Sequence, residues 1–541
     1  MESRQTESRM DAGLEFPPTP VTVQQAVIDL LRGLGCSTLF GNPGSTELPL
    51  FRNWPSDIRY VLGLQESVVV AMADGYAQIT RNASFVNLHS ASGVGHALGS
   101  LFTAFKNRAP IVVIAGQQAR SMLPSDPYLA ATEAAQFPKP YVKWSVEPAR
   151  AEDVPAAIAR AYYTAMQEPR GPTFVSVPVD DWDKIAERVT LREVVSRRRP
   201  DAAAIARLGA ALDASVRPVI VVGSDVDMAG AFHAAVALAE RYQAHVWAAP
   251  RAWRCAFPES HPLFMGFLPA VRDQLVAKLA CYDLALVIGA PAFTYHKETA
   301  GPLLPKGLEL FQVVNDPVEA AQAPRGSAVL ASVDAAIEDL LHRPNTKARA
   351  APPARQPRAV VAAAMPISPA YLMSRIAALR PKDSIIVEEA PTSRAAMNAH
   401  LPIDIPEGFF TTGSGGLGYG LPAAVGIAMG RPDQRVIALI GDGSSMYGVQ
   451  ALWTAAQWKL PIAIVIVNNK SYFALKHMAG MFGMREAVGV DLPGIDFCGL
   501  AHALGCEARR VTAPEDLDEV LIYAVGASVP VVIDVIVEAI A

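Results

Sequence analysis

Short runs of consecutive apolar residues recur along the chain and alternate with amphipathic segments. Unbroken Val- and Ile-rich runs are typical of parallel strands buried on both faces, because a strand with one solvent face would alternate apolar and polar residues. Helical patterns, such as that of residues 23–34, lie between the runs. Together they predict an α/β fold built from doubly wound parallel sheets. The strand-like runs begin at or near Phe40, Pro110, Thr173, Pro218, Leu284, Arg435, Pro461 and Val529.

Two connectors divide the 541-residue chain into three units. The first, residues 191–203, is basic, and the second, residues 342–364, is rich in Pro, Ala and Arg. Charged, Pro-rich segments without periodicity are usually domain linkers. We therefore expect a loose tail over residues 1–20 and three α/β domains over residues 21–190, 204–342 and 365–541, each with its own parallel sheet.

Composition and charge exclude several classes of protein. Hydrophobic residues make up 51% of the chain and charged residues 18%, which is incompatible with a disordered or fibrous protein. The net charge of -5 and the lack of a Lys- and Arg-rich patch argue against a nucleic-acid partner. No apolar run is long enough to span a membrane, and the polar N-terminus does not resemble a signal peptide. Five cysteines without a CxxC pair fit a reducing compartment, so we expect a cytoplasmic protein.

Oxygen-bearing side chains follow two neighbouring strands of the last unit. The strand over residues 437–440 runs directly into Gly441-Asp442-Gly443, and the next strand ends in Asn468-Asn469. In an open parallel sheet both loops lie at the carboxyl ends of the strands, where ligands bind. Asp442, Asn469 and the backbone carbonyl near Ser471 form an oxygen donor set that suits Mg²⁺ bound to phosphates. Each motif alone is common in ordinary turns, and their spacing at two strand ends makes the pair specific.

This pairing resembles the cofactor signature of thiamine-diphosphate enzymes. The resemblance implies thiamine diphosphate and Mg²⁺ as cofactors, and a chain of pyrimidine-binding, central and diphosphate-binding domains. It also implies that Glu66, which opens an apolar helix, contacts N1′ of the aminopyrimidine and promotes its imino form. Leu417 would support the bent cofactor, with the Gly415 carbonyl near the 4′-amino group. The remaining cofactor-binding residues implied are Thr392, Ser393, Gly443, Ser444 and Ser471.

Within that family the chain is most similar to the benzoylformate decarboxylases. The resemblance implies that Ser45 contacts the substrate carboxylate and that His89 and His296 transfer protons, for which imidazole is suited. His96 stands where the family more usually has Asn, and we expect it to be structural. The stretches that carry the resemblance are FGNPGSTELP (40–49), LQESVVVAMADGYAQ (64–78), NLHSASGVGHALG (87–99), VIGAPAFTYH (287–296) and ALWTAAQWKLPIAIVIVNN (451–469).

The predicted substrate pocket departs from that branch. Thr411 and Met478 stand where the decarboxylases have Phe side chains, while Ala474 and Leu475 are kept. Loss of two aromatic walls would enlarge or soften the pocket. We therefore expect a 2-keto acid with an aryl or bulky side chain, without specifying which one.

Three functions compete at this point. The first is non-oxidative decarboxylation to an aldehyde and CO₂, with an acyloin as a side product. The second is an acetolactate-synthase-like carboligase, which a flavin requirement would favour and which the His89/His296 pair argues against. The third is an inactive cofactor-binding relative, which the intact Glu66, Asp442 and Asn469 argue against. The resemblance further implies a homo-oligomer, such as a dimer of dimers, with each site shared between two chains.

Overall fold

The computed structural model describes residues 20–344 and 349–538. The tail predicted for residues 1–20 lies outside the described residues, apart from Pro20. Three six-stranded sheets are present, and every strand pair within them is parallel. The predicted fold of three doubly wound α/β domains is therefore confirmed.

The N-terminal sheet has the strand order β3-β2-β4-β5-β7-β6, and β1 pairs with β8 in a separate antiparallel ribbon. Its central strands are fully buried, as their unbroken apolar sequences predict. The strands are β1 (Val21–Thr22), β2 (Thr38–Gly41), β3 (Arg59–Leu62), β4 (Ser84–Leu88), β5 (Ile111–Gln117), β6 (Ser145–Val146), β7 (Thr173–Pro178) and β8 (Ile185–Ala186). The helices are α1 (Val23–Gly33), α2 (Glu66–Thr80), α3 (Ser90–Lys106) and α4 (Val154–Met166).

The central sheet has the order β11-β10-β9-β12-β13-β14. Its strands are β9 (Pro218–Val222), β10 (His245–Ala248), β11 (Phe264–Phe267), β12 (Leu284–Ile288), β13 (Glu309–Val314) and β14 (Ser327–Leu330). Its helices are α5 (Ala202–Ala214), α6 (Ser224–Met228), α7 (Phe232–Tyr242), α8 (Arg272–Leu279), α9 (Pro317–Gln322) and α10 (Val333–His342).

The C-terminal sheet has the order β16-β15-β17-β18-β20-β19. Its strands are β15 (Ile385–Glu389), β16 (Phe409–Thr411), β17 (Val436–Gly441), β18 (Ile462–Asn468), β19 (Glu507–Val511) and β20 (Val531–Ile536). Its helices are α11 (Pro369–Leu379), α12 (Arg394–His400), α13 (Gly420–Gly430), α14 (Asp442–Ser445), α15 (Ala451–Gln457), α16 (Phe473–Met481), α17 (Phe497–Ala503) and α18 (Pro514–Gly526). Short 3₁₀ segments include Ser45–Phe51 and Pro391–Ser393.

Helices α2 and α13 join the N- and C-terminal domains in one continuous apolar core. Glycines bring the two helices close, because a Cβ on Gly75 would meet the backbone of Ala423 and one on Gly426 would meet the Met72 carbonyl. Such contacts bring the backbones closer than larger side chains would allow. The two outer domains are therefore packed against each other within one chain.

Arg254 links all three domains from a buried position. Its Nε donates to Asp227 Oδ2 at 2.8 Å, and its Nη1 donates to Gln78 Oε1 at 3.0 Å. Its guanidinium carbon lies 4.0 Å from the ring centre of Phe410. The partners belong to the central, N-terminal and C-terminal domains respectively, so one buried cation contacts all three domains.

None of the helices within residues 20–344 and 349–538 has both the length and the apolar character that a bilayer crossing requires.

Candidate cofactor site and catalytic residues

A cavity opens at the carboxyl ends of β15, β17 and β18, where ligands bind in open α/β sheets. Its volume is about 330 Å³, within the range of small-molecule and cofactor sites. Many of the predicted residues line it: Thr392, Ser393, Gly415, Leu417, Asp442, Gly443, Ser444, Asn469, Ser471, Ala474 and Leu475. Residues far apart in sequence thus converge on one space.

The backbone amide of Ser471 brings the two predicted metal ligands together. It donates to Asp442 Oδ2 and to Asn469 Oδ1, each at 3.1 Å. Burial raises the pKa of Asp442, although backbone N–H groups, including that of Gly443, oppose the rise. A cation beside this buried carboxylate would offset its desolvation. One carboxylate and one amide oxygen fit Mg²⁺ completed by phosphate oxygens and water, and do not form a closed protein cage.

Glu389 positions the loop that carries Gly415 and Leu417. Its carboxylate accepts the backbone N–H groups of Gly418, Tyr419 and Gly420 at 2.7, 2.7 and 2.6 Å. Burial raises its pKa to about 7, while these three bonds oppose the rise. Gly415 has a φ of +77°, which favours glycine and turns the loop toward the cavity. Glu389 could not be predicted from the sequence, because a glutamate at a strand end has no distinctive motif.

Glu66 is the first residue of α2, and Gln65 caps that helix. Gln65 Oε1 accepts the backbone N–H groups of Ser67 and Val68 at 2.7 and 3.2 Å. The cap sets the direction from which the Glu66 side chain leaves the helix. Glu66 Oε2 lies 3.0 Å from Nδ1 of His96, a residue that we expected to be structural.

His89 follows β4 directly and is held by an acidic neighbour. Its Nδ1 lies 3.0 Å from Glu47 Oε2 and 3.1 Å from Thr46 Oγ1. The hydrogen bond to Glu47 raises the pKa of His89, burial opposes the rise, and the charges of Glu47 and Glu66 add to it. A Cβ on Gly44 would meet the His89 ring, so this glycine lets the loop bearing Ser45 approach the imidazole. Ser45, Glu66 and His89 are thereby gathered in the N-terminal domain.

Removal of the Glu47 charge tests the role of His89 as a proton donor. Because the pKa of His89 is raised, its imidazolium persists to higher pH than that of a free histidine. The interaction between the imidazolium and Glu47 stabilises the fold fully below about pH 6.5, and this stabilisation is lost as pH rises through the folded-state pKa of His89. In Glu47→Gln we expect the alkaline limb of the kcat profile to move to lower pH. The exposed Glu193→Gln should leave the profile unchanged. An unshifted limb in Glu47→Gln would contradict this assignment.

His296 belongs to the central domain and is exposed. Arg251 Nη1 lies 3.1 Å from His296 Nδ1, and because a guanidinium can only donate, the bonded Nδ1 must accept. The Arg251 side chain also occupies the space that a Cβ on Gly415 would need. His296 is therefore connected through Arg251 to the loop that lines the cavity. Arg251 was absent from the sequence expectations, because an isolated arginine in a loop has no recognisable pattern.

The four predicted substrate-pocket residues occupy different environments. Ala474 and Leu475, at the start of α16, line the cavity. Thr411 is 1% exposed, and its hydroxyl donates to Glu388 at 3.0 Å and accepts from Arg394 at 2.6 Å. Thr411 and Met478 are not among the described residues that line the cavity. Tyr447 and Tyr472, which sequence reasoning missed, supply aromatic surface there instead.

The predicted site residues form two groups in this chain. Asp442, Asn469 and the loop around Leu417 line the cavity. Glu66, Ser45 and His89 form a second group around the start of α3 and are not among the described residues that line the cavity. The two groups of predicted site residues therefore do not share this cavity within one chain.

Comparisons with known proteins agree with this arrangement. Residues 21–138, 205–340 and 392–535 match the N-terminal TPP binding, central and C-terminal TPP binding domains of thiamine pyrophosphate enzymes. Benzoylformate decarboxylase from Pseudomonas aeruginosa is 44% identical over 519 residues, covering 95% of this chain and 98% of that protein. An acetolactate synthase large subunit from Haemophilus influenzae is 24% identical, covering 92% and 91%.

A solved structure extends the likeness to three dimensions. The thiamine diphosphate-dependent 4-hydroxybenzoylformate decarboxylase of Rhodococcus jostii RHA1 superposes with a TM-score of 0.93 at 42% identity, over 96% of this chain and 99% of that one. Three matched domains and a relative 44% identical over 95% of the chain show which family it belongs to. This chain therefore belongs to the thiamine pyrophosphate (thiamine diphosphate) enzyme family.

Proposed function

We propose that this protein is a carboxy-lyase that converts a 2-keto acid with an aryl or bulky side chain into an aldehyde and CO₂ without oxidation. The observation that carries the proposal is the 44% identity to a benzoylformate decarboxylase, in a chain that places Glu66 near His89 and Asp442 beside Asn469. The acetolactate synthase relative is more distant, at 24% identity, so carboligation is the weaker alternative.

Asp442 and Asn469 would hold Mg²⁺, and Thr392, Ser393, Ser444 and Ser471 would bind the diphosphate. When bound, thiamine diphosphate supplies the nucleophilic carbon and accepts the electron pair that remains when CO₂ leaves. Leu417 offers apolar support inside the cavity, and Glu389 holds its loop rigid through three backbone bonds. The protein thus contributes binding, orientation and a preformed pocket.

The N-terminal residues would handle protons and the substrate carboxylate. Glu66 would share a proton with N1′ of the aminopyrimidine, and Ser45 would donate to the carboxylate before it is lost. His89, whose imidazolium is favoured by Glu47, is suited to deliver a proton to the carbon that loses CO₂. His296, which accepts from Arg251 at Nδ1, would face the same centre from the central domain.

We further infer that two chains complete each site. In one protomer the two groups of site residues do not share a cavity, so Glu66 of one chain would meet Asp442 of its partner. Large apolar side chains near both groups are exposed, including Leu48, Tyr447 and Phe482. Apolar surface of this kind supports an interface. A dimer is the smallest active unit, and a dimer of dimers is consistent with it. The five unpaired cysteines support a cytoplasmic location.

The direct test measures CO₂ and aldehyde release from benzoylformate, pyruvate and phenylpyruvate with added thiamine diphosphate and Mg²⁺. We expect benzoylformate or another bulky keto acid to be preferred. We expect Glu66→Gln to lower kcat by about 10²–10⁴-fold, the usual range for loss of an acid–base group. Glu515→Gln, an exposed change on α18, is the matched control. Efficient conversion of pyruvate to acetolactate, with little aldehyde, would favour the carboligase instead.

A further inference from the structure

One face of α3 presents two histidines to Glu66. His89 is the N-cap of α3, and His96 lies seven residues later, two helical turns along the same side. Gly93 lies between them, and a Cβ added there would stand 3.5 Å from Glu66 Oε1 and 3.6 Å from the His89 Cβ. The Glu66 carboxyl group therefore lies beside this face of α3, next to Gly93 and hydrogen-bonded to His96.

The two histidines have different partners. His89 bonds to Glu47, while the Nδ1 of His96 lies 3.0 Å from Glu66 Oε2. An ionised carboxylate can only accept, so His96 carries its proton on Nδ1 in this pair. Within the described residues, Glu66 Oε1 accepts no hydrogen bond. Oε2 of Glu66 is therefore hydrogen-bonded to His96, and Oε1 remains available to a ligand.

We propose that His96 is a positioning residue that holds Glu66 Oε2, so that Oε1 is presented to N1′ of the aminopyrimidine. This role rests on the proposed function, since it presumes that Glu66 serves a bound thiamine diphosphate. A carboxyl group free to rotate would spend part of its time with neither oxygen aligned. A charge-assisted hydrogen bond is strong enough to select one orientation.

His96 would act through Glu66 on activation of the cofactor, before substrate binds. The experiment therefore measures hydrogen–deuterium exchange at C2 of thiamine diphosphate bound to the enzyme without substrate. His96→Ala removes the donor, and we expect exchange to slow by about 10–100-fold, the effect of one hydrogen bond to a charged group. His96→Asn places an amide nitrogen near the position of Nδ1, and we expect it to restore exchange to within about threefold of the parent. Cofactor affinity should change by less than about threefold in both variants, because Mg²⁺ and the diphosphate contacts are untouched.

His502→Ala is the matched control, since His502 is an exposed histidine on α17. Parental exchange in His96→Ala would overturn the proposal. Exchange in His96→Asn as slow as in His96→Ala would also overturn it, because the imidazole would then act by its own chemistry and not as a hydrogen-bond donor.

The apo-protein gives an independent readout. In ¹⁵N-histidine NMR spectra without cofactor, we expect the Nδ1 signal of His96 to move in Glu66→Gln and that of His502 to stay. An unchanged His96 signal in Glu66→Gln would show that the two side chains are not hydrogen-bonded, which would overturn the proposal. If the parent enzyme binds the cofactor but shows no C2 exchange, both the proposed function and this role of His96 are wrong. If the parent exchanges normally, a result that contradicts the role of His96 leaves the proposed function standing.

Discussion

Replacement of Asp442 by alanine is expected to weaken Mg²⁺-dependent binding of thiamine diphosphate by at least about a hundredfold and to abolish decarboxylation. Asp442 is the one acidic side chain among the described residues that line the cavity. Its removal leaves Asn469 and a backbone carbonyl, two neutral donors that compete poorly with water for Mg²⁺. Calorimetric titration of the apo-protein with thiamine diphosphate at fixed Mg²⁺ would measure the loss.

Two further variants separate charge from shape. Asp442→Asn keeps the volume and one oxygen donor, so its affinity should lie between those of the parent and Asp442→Ala. Asp433→Ala changes an exposed aspartate in the loop before β17 and should bind the cofactor normally. Parental affinity in Asp442→Ala would show that the cation is held elsewhere.

Arg254→Ala is expected to lower the free energy of unfolding by about 3–5 kcal/mol, the typical effect of breaking a buried ion pair. The side chains of Arg254 and Asp227 are 2% and 0% exposed. Without the guanidinium, Asp227 keeps a hydrogen bond from the Glu407 amide but loses its counter-ion. The contacts to Gln78 and Phe410 are also lost, so the three domains lose a common anchor. Urea denaturation of the apo-protein, followed by circular dichroism, would measure the change.

An exposed pair provides the comparison. Arg32 makes two hydrogen bonds to Asp57 at 2.7 and 2.9 Å, but both side chains are largely solvated. Arg32→Ala should therefore cost less than about 1 kcal/mol. The double variant Arg254→Met/Asp227→Leu should recover part of the stability, because no buried charge remains unpaired, while the Glu407 amide loses its acceptor. Equal losses in Arg254→Ala and Arg32→Ala would refute the argument.

Local pattern was enough to predict the fold and to predict that Asp442 and Asn469 would lie close together. The runs beginning near Pro110, Pro218 and Pro461 form central strands of their sheets, because continuous apolar sequence can be satisfied only by burial on both faces. Asp442 and Asn469 were identified because each directly follows such a strand. Parallel strands end at one edge of the sheet, so chain order already implied that the two side chains would meet.

The role of isolated polar residues could not be predicted from local pattern. Glu389, Glu47 and Arg251 act through partners that are distant in sequence or in another domain, so no spacing identifies them. Thr411 was expected in the substrate pocket from alignment with a Phe, yet its hydroxyl bonds to the buried Glu388. A small polar residue can satisfy an internal carboxylate where an aromatic side chain could not.

The sequence by itself therefore determined the three-sheet α/β architecture, through hydrophobic periodicity, and the family, through its resemblance to motifs that follow strands. Tertiary structure alone decided which side chains contact the predicted site residues. His96 shows the difference: in sequence it is a histidine in place of a more usual Asn, and only the packing of α2 against α3 brings its Nδ1 within 3.0 Å of Glu66. Hydrogen bonds act over a few ångströms, and those distances are set by packing between helices that are far apart along the chain.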